Sequence, residues 1–190
     1  MEIGTTLYVK DRRQWRAWLA RHHQTAPEIW LIYYKKHSGR PRIPYNDAVE
    51  EALCYGWIDS ITKPVDEDRW AQRFSPRRSS SRLSEMNRER VRRLIAARRM
   101  TKAGLERIAH VFDHESDTKR RLVWRVPPDI LAAIKRDRTT WKHFQAFPES
   151  YKRIRIGWID AARQRREIFR QRLRHFLKMT VQNKRFGMVQ

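Results

Sequence analysis

The run from Glu28 to Lys36 constrains the fold more than any other stretch of the chain. It is aromatic and β-branched almost throughout, which favours a strand. Alternate side chains of a strand face opposite sides, and both sets are apolar here: Ile29, Leu31 and Tyr33 on one face, and Trp30, Ile32 and Tyr34 on the other. We therefore expect this strand in the middle of a sheet.

Two more strands are predicted at 58–64 and 69–75, joined by a polar turn at 65–68. Apolar spacing predicts helices at 12–23 and 45–55. The predicted class is α+β, with a small antiparallel three-stranded sheet, flanking helices and a mainly helical C-terminal half. The later predicted helices are 85–98, 102–113, 129–136, 139–147 and 150–180, the last with a break near 162–166.

A change in composition after residue 113 predicts the domain organisation. Residues 114–121 are polar and charged, which favours a linker or loop, and Pro127-Pro128 marks the start of a helical block. We predict an α+β core domain with trailing helices at 1–115, a linker at 116–126, and a helical segment at 127–190 that packs on the core.

The chain is strongly basic, with 43 Lys and Arg against 21 Asp and Glu, a formal net charge of +22. Such a charge attracts polyanions, although it is equally compatible with a surface that serves solubility alone. The helix predicted at 150–180 has an apolar stripe, and arginines that include Arg153 and Arg155 occupy its remaining surface. A candidate polyanion surface consists of Arg163, Arg165, Arg166, Arg170, Arg172 and Arg174. It would suit nucleic acid, a membrane surface or an acidic protein; otherwise the stripe packs inward and the arginines are merely solvated.

A second candidate site is an anion-binding rim at one end of the sheet. Arginines combined with a helix N-terminus at Ser84 favour negative charge, because both present N–H donors. Asp59 is expected to orient one of the arginines. The predicted residues are Lys36, Trp57, Asp59, Arg73, Ser75, Arg77, Ser84 and Asn87. The alternative is an intramolecular ion-pair network that fastens the loop 74–83.

Catalytic, metal and cofactor sites find little support. Ser60 and Ser75 have no histidine nearby in sequence, and no glycine-rich phosphate loop occurs. His110 and His114 are four residues apart but lack the glutamate of a zinc-protease motif. Cys54 is the single cysteine, which excludes an internal disulfide. No leader or membrane-spanning run is recognisable, so we expect a soluble, cytoplasmic protein.

Several motifs carry a resemblance to a known family. They are Tyr45…Ala48-Val49-Glu50-Glu51-Ala52-Leu53-Cys54-Tyr55-Gly56-Trp57-Ile58-Asp59-Ser60, Arg73-Phe74-Ser75-Pro76-Arg77, Ser84…Asn87…Arg99-Met100, Ala103-Gly104-Leu105, Pro127-Pro128-Asp129, and Ser150 through Trp158-Ile159…Ala162-Arg163. Together they resemble the YdeI/OmpD-associated (bacteriocin-protection) family. The chain departs from the family pattern at Leu83, where the family has tryptophan, and at Arg98, where it has glycine. The resemblance implies a link to envelope stress and peptide-antibiotic resistance, without a defined reaction.

Three functional hypotheses follow, and a binding protein is favoured over an enzyme. The first, from the resemblance, is a non-enzymatic stress or antimicrobial-resistance protein that binds an anionic partner. The second, from charge alone, is a nucleic-acid-binding protein without sequence preference. The least favoured is a small-molecule enzyme that uses the rim at Asp59 and Arg73.

Overall fold

The computed structural model describes residues 2–187, except for the side chain of His114. It divides into two compact units. The first consists of Met1–Arg82 and Arg90–Val111, and the second of Leu83–Glu89 and Phe112–Gln190. The domain boundaries inferred from composition stay a prediction, because compactness alone does not show that either part folds by itself.

The first unit is built on a four-stranded mixed sheet with strand order β1-β2-β4-β3. The strands are β1 Thr6–Tyr8, β2 Ile29–Tyr34, β3 Trp57–Pro64 and β4 Arg69–Pro76. β1 runs parallel to β2, and the other neighbours are antiparallel. The α+β class is confirmed, and the three predicted strands are present with antiparallel pairing, but the predicted sheet lacked the parallel edge strand β1. β1 has three residues, too few for a pattern of alternation, and is identified by its backbone pairing with β2.

The central position predicted for the 28–36 strand is confirmed, because β2 lies between β1 and β4. One face of β2 enters the main core, which includes side chains of α1 (Arg12–His22) and α2 (Tyr45–Cys54). The other face contributes Trp30 and Ile32 to a smaller buried cluster. Both faces of the strand are thus buried, which is why its sequence is apolar without alternation.

A buried carboxylate fastens the helices of the first unit. Glu51 is 0% exposed, and Arg12 and Arg99 both form ion pairs with its Oε1. Arg16 Nη1 lies 2.7 Å from its Oε2. One carboxylate of α2 therefore binds two arginines of α1 and a third from the segment after α3 (Glu85–Ala96), an arrangement that keeps a buried charge paired.

Helix α4 (Lys102–Ile108) packs unusually close to the end of α2. The Thr101 N–H and Oγ1 both donate to the Cys54 carbonyl, at 3.1 and 2.6 Å. A Cβ added at Gly104 would lie 2.0 Å from the same oxygen. The Ala103-Gly104-Leu105 motif therefore has a structural reason: only a residue without a side chain allows this approach.

The second unit is helical. Its helices are α5 His114–Val123, α6 Pro128–Lys135, α7 Arg138–Ala146, α8 Glu149–Asp160 and α9 Arg166–Val181. The helical C-terminal half is confirmed, and the break expected near 162–166 separates α8 from α9. The loop expected at 114–121 was wrong, since α5 is a helix. Asp113 caps it by accepting the N–H groups of Glu115 and Ser116, so its polarity reflects solvent exposure rather than a loop.

Helices α6, α7, α8 and α9 together form the core of the second unit. Ile130 and Ile134 of α6 meet Phe144 of α7, Ile159 of α8 and Phe176 of α9. Each of these helices contributes one apolar face, which is the pattern of a small helical bundle. In the part of the chain that the structure describes, none of the helices combines the length and apolar character needed to span a bilayer.

Candidate functional site

Among the predicted rim residues, Arg73 forms an ion pair with Glu28. Its Nη2 and Nε lie 2.6 and 2.7 Å from Glu28 Oε2. Its Nη1 lies 3.4 Å from Ser60 Oγ. The Arg73 hydrogen bond, followed by that from Trp30 Nε1, holds the pKa of Glu28 below its ordinary value. Arg73 therefore ties β4 to the start of β2.

Arg77 lies inside the first unit, with only 1% of its surface exposed. Its Nη1 donates to Ser81 Oγ at 3.2 Å and to the Arg82 carbonyl at 3.1 Å. Burial lowers the pKa of Arg77, and the charge of Asp59 opposes that effect. Asp59 itself accepts a 2.6 Å hydrogen bond from the Tyr45 hydroxyl. Arg77 thus holds the loop after β4 from within through hydrogen bonds, without an ion pair to any carboxylate of the described residues.

The remaining rim residues are distributed over both units. Lys36 is exposed, Trp57 is buried at the start of β3, and Ser75 lies half-buried near the end of β4. Ser84 and Asn87 belong to the second unit, where Ser84 Oγ accepts the Asn87 N–H at 3.2 Å and caps α3. Anion binding at the rim stays a prediction.

Two arginines of the predicted polyanion surface have their charge matched by carboxylates. Arg163 Nη1 lies 2.9 Å from Asp129 Oδ2, and its Nη2 lies 2.7 Å from Asp160 Oδ1. These hydrogen bonds, that of Asp129 first, raise the pKa of Arg163. Arg170 Nη1 lies 3.1 Å from Glu167 Oε1. Neither arginine offers an uncompensated charge to a partner.

Two other arginines contact the ring of Trp158. The Cζ of Arg172 lies 4.6 Å from the ring centroid, and the Cζ of Arg155 lies 5.9 Å from it. Arg172 Nη1 also donates to the Trp158 carbonyl at 2.5 Å. Among the residues described, neither guanidinium is paired with a carboxylate. Burial lowers the pKa of both, and the nearby charge of Arg165 lowers that of Arg172 further.

Arg155 and Arg172 line a cleft of about 670 Å³ in the second unit. Its walls are Arg155, Trp158, Ile168, Gln171, Arg172, His175 and Phe186. This volume is ample for a small ligand or for the side chain of a partner. A cleft that combines two cations without carboxylates, aromatic rings and an amide is chemically suited to an anion, because each guanidinium keeps unused N–H donors.

The expectation that Arg153 and Arg155 lie on the surface was wrong, since each is only 7% exposed. Arg155 is enclosed by aromatic rings: Tyr151 and Trp158 on its own helix, and Phe186 at 4.7 Å. The signal was in the sequence, because aromatic residues four before and three after an arginine share its helix face. The contact from Phe186, beyond the end of α9, had no such signal.

The apolar stripe of α9 packs inward. Phe176 is fully buried, and Leu173 and Leu177 pack against the core of the second unit. A helix with its apolar face in the protein core has none left to insert into a membrane surface. The exposed side chains of Arg165, Arg166 and Arg174 make no hydrogen bond or ion pair with any residue described, so their charges remain available to polyanions.

Metal binding has no geometric support in the described part of the chain, where no cluster of three His, Cys, Asp or Glu residues is placed to hold an ion. Of the His110 and His114 pair, the His114 side chain lies outside the described residues. His110 Nε2 instead lies 3.4 Å from the Ser81 carbonyl oxygen.

Fold and site together define a class: an α+β protein with a helical unit that carries an arginine-lined cleft. Residues 7–107 match the model of the family described as a domain of unknown function (DUF8412). This match covers more than half of the chain, so the chain belongs to that family. Residues 124–183 match a second family model, OmdA, described as bacteriocin-protection, YdeI or OmpD-associated.

The family inferred from the motifs is thus confirmed, with its domain at residues 124–183. The motifs between Tyr45 and Arg77 lie in the stretch that matches the family of unknown function. The arginine-lined cleft lies mostly within the matched YdeI/OmpD-associated domain, with Phe186 just beyond it. Comparison with curated proteins and with solved structures found no significant match.

Proposed function

We propose that this protein is a non-enzymatic member of the YdeI/OmpD-associated type that acts by binding an anionic partner at the cleft of Arg155, Trp158 and Arg172. Its biological role is in resistance to stress or to antimicrobial peptides. The observation that carries the proposal is the pair of guanidinium groups on Trp158, neither of which has a carboxylate partner among the described residues.

The electrostatics of the cleft support an anion. Leaving a cation partly buried without a counter-ion is unfavourable, and burial lowers the pKa of both arginines as expected for that situation. An anion in the cleft would relieve the penalty and would gain charge-assisted hydrogen bonds. The contrast with Arg163, on the same unit and with two carboxylate partners, makes the cleft distinct from the general basic surface.

The net charge limits how resistance can work. A protein of charge +22 repels cationic peptides, so direct capture of the peptide is electrostatically unfavourable. The protective effect would instead pass through an anionic partner, such as an acidic protein or a phosphate-bearing molecule.

The test uses sodium tripolyphosphate as an anionic probe, titrated by calorimetry at about 0.15 M salt. Arg172→Gln is compared with Arg170→Gln, which removes the same charge from the same helix at a position paired with Glu167. We expect Arg172→Gln to weaken binding about tenfold and Arg170→Gln to change it little. Equal losses in both variants would mean that only net charge matters.

A second candidate, a nucleic-acid-binding protein without sequence preference, is favoured by the exposed Arg165, Arg166 and Arg174 of α9. Fluorescence anisotropy of a labelled DNA duplex separates it from the first. Binding that persists near 0.15 M salt, with a salt slope of several ions, and that falls when these three arginines become Gln, supports this candidate. Binding confined to low salt argues against it.

The resistance role is tested in cells. A deletion strain that carries the wild-type or Arg170→Gln protein is expected to tolerate a cationic peptide, whereas one that carries Arg172→Gln is expected to be sensitive. Normal tolerance of the deletion strain itself contradicts the role.

A further inference from the structure

A second cleft, of about 430 Å³, lies entirely within the first unit. Tyr55 and Trp57, at the junction of α2 and β3, form one wall. Ser79 of the loop after β4 contributes to it, as do Arg107 of α4 and His110 just beyond that helix. Its volume is within the range of small-molecule sites. Of these residues, only Trp57 belongs to the predicted rim.

The aliphatic stem of Arg107 is held by packing, whereas its guanidinium has no ion-pair partner among the described residues. A Cβ added at Gly56 would lie 2.6 Å from Arg107 Cβ and 2.9 Å from its Cγ, so the stem packs directly on the Gly56 backbone. Gly56 has φ +74°, a conformation that glycine adopts without strain. The guanidinium makes no hydrogen bond or ion pair with any residue that the structure describes. Part of the conformational entropy that an arginine side chain loses when a ligand binds is therefore already lost in the free protein.

Two neutral polar groups near Arg107 can donate hydrogen bonds. The Ser79 hydroxyl and the Gln24 amide also line the cleft, and neither has a partner among the described residues. The acidic lining residue, Glu106, lies 3.9 Å from Lys102 Nζ, so its charge is partly offset outside the cleft. The cleft thus offers hydrogen-bond donors and a cation to a ligand that brings acceptors.

The number of charges indicates the class of anion. Among the described lining residues, Arg107 is the one lysine or arginine, which matches a singly charged group better than a phosphate dianion. The guanidinium fork fits a carboxylate through two parallel hydrogen bonds. Tyr55, which is half-buried, adds planar apolar surface beside it, whereas Trp57 is only 1% exposed.

From this arrangement we infer that the first unit binds a small aromatic carboxylate, with the carboxylate on Arg107 and the ring against Tyr55. The site is separate in sequence and in unit from the cleft of Arg155 and Arg172, and it takes a different ligand.

The experiment uses benzoate as the probe, with the full-length protein and ligand-detected NMR. Benzamide, which is neutral and of nearly the same shape, is the ligand control. Arg107→Gln keeps the stem on Gly56 and removes the charge. Lys35→Gln is the control, because it removes the same charge from an exposed side chain of the same unit that lies outside the cleft. We expect benzoate affinity to fall about tenfold in Arg107→Gln and to stay within about twofold in Lys35→Gln.

Further measurements with other ligands and variants test the same inference. Benzamide is expected to bind more weakly than benzoate, and Arg172→Gln to leave benzoate affinity unchanged. Absence of benzoate binding, equal binding by Arg107→Gln, or tighter binding of inorganic phosphate than of benzoate overturns the inference. Circular dichroism of each variant confirms that the fold is retained. Loss of tripolyphosphate binding in Arg172→Gln bears only on the proposed function, so the two can fail separately.

Discussion

At the scale of single residues, Arg98 has a backbone conformation that favours glycine, the residue that the resemblance implies at this position. It has φ 53°, a left-handed conformation in which glycine is favoured. Its N–H donates to the Ile95 carbonyl, and that of Arg99 donates to the Leu94 carbonyl, a hydrogen-bond pattern that ends many helices at a glycine. The family glycine expected here therefore has a physical reason, and this chain carries a strained arginine instead.

Arg98→Gly is expected to raise the free energy of unfolding by about 1 kcal/mol, because glycine adopts this conformation without a Cβ clash. Urea denaturation followed by circular dichroism measures the change. Arg98→Ala is the control: it removes the same charge and keeps the Cβ, so it should give no such gain. Equal stabilisation by both variants would assign the effect to charge.

The Cys54 thiol is the second residue whose environment has a measurable consequence. It is fully buried, and desolvation, followed by the charge of Glu51, raises its pKa to about 11. The unfolded thiol ionises near about pH 8.5. Since the folded pKa is the higher one, stability should be intact below about pH 8.5 and fall as the pH rises toward 11.

We expect Cys54→Ala to lose less stability than the wild-type protein between about pH 8.5 and 10, measured as the change in urea midpoint with pH. In the folded wild-type protein the thiol should also react slowly with iodoacetamide at pH 8, because little thiolate forms. Rapid alkylation under native conditions contradicts the buried position.

At the scale of elements, close helix contact depends on one glycine. In an exposed helix, Gly→Ala is stabilising by about 1 kcal/mol. At Gly104 the new methyl would lie 2.0 Å from the Cys54 carbonyl oxygen, so α4 would have to move away from α2. Gly104→Ala should therefore lower stability by about 1–3 kcal/mol, the opposite sign.

Thermal unfolding measures this change, with Gly157→Ala in α8 as the comparison. There the nearest atom to an added Cβ is a Glu85 side-chain carbon at 2.7 Å, which can rotate away more readily than a backbone carbonyl. A smaller loss is expected at 157 than at 104. A gain in stability for Gly104→Ala would show that α4 does not pack as closely as described.

The arginine-rich element α9 illustrates how similar side chains acquire different roles. Arg170 and Arg172 are two residues apart, yet one pairs with Glu167 and the other contacts Trp158 in a cleft. Helix geometry accounts for this difference, since residues two apart point in different directions. A basic run in sequence is therefore a poor guide to the number of available charges.

At the scale of the whole molecule, the net charge of +22 is the dominant electrostatic feature. Its self-repulsion opposes the compact state, whereas most exposed ion pairs contribute little. We expect the thermal midpoint to rise as NaCl increases from about 0.01 to 0.15 M, because screening shortens the range of the repulsion. Differential scanning calorimetry measures it.

The control is the variant in which Arg165, Arg166 and Arg174 become Gln. It has three fewer positive charges and should depend less on salt. A midpoint that falls with added salt would mean that attractive ion pairs, such as those around Glu51, outweigh the repulsion.

Much of the fold was predictable because its signals are local. The α+β class, the central strand and the break between α8 and α9 all follow from patterns within a few residues. The place of strand β1 in the sheet was not predictable, since three residues carry too little pattern to specify a pairing. The helix α5 was missed because a solvated helix and a loop have similar composition.

By itself the sequence determined the central strand, most of the helices, the charge excess and the family that the chain resembles. Only the tertiary structure decided which interactions each arginine makes. Arg73 meets Glu28 across 45 residues, and Arg163 meets Asp129 across 34. Whether a guanidinium is paired, buried or open depends on carboxylates and rings that are distant in sequence, and no local pattern encodes those distances.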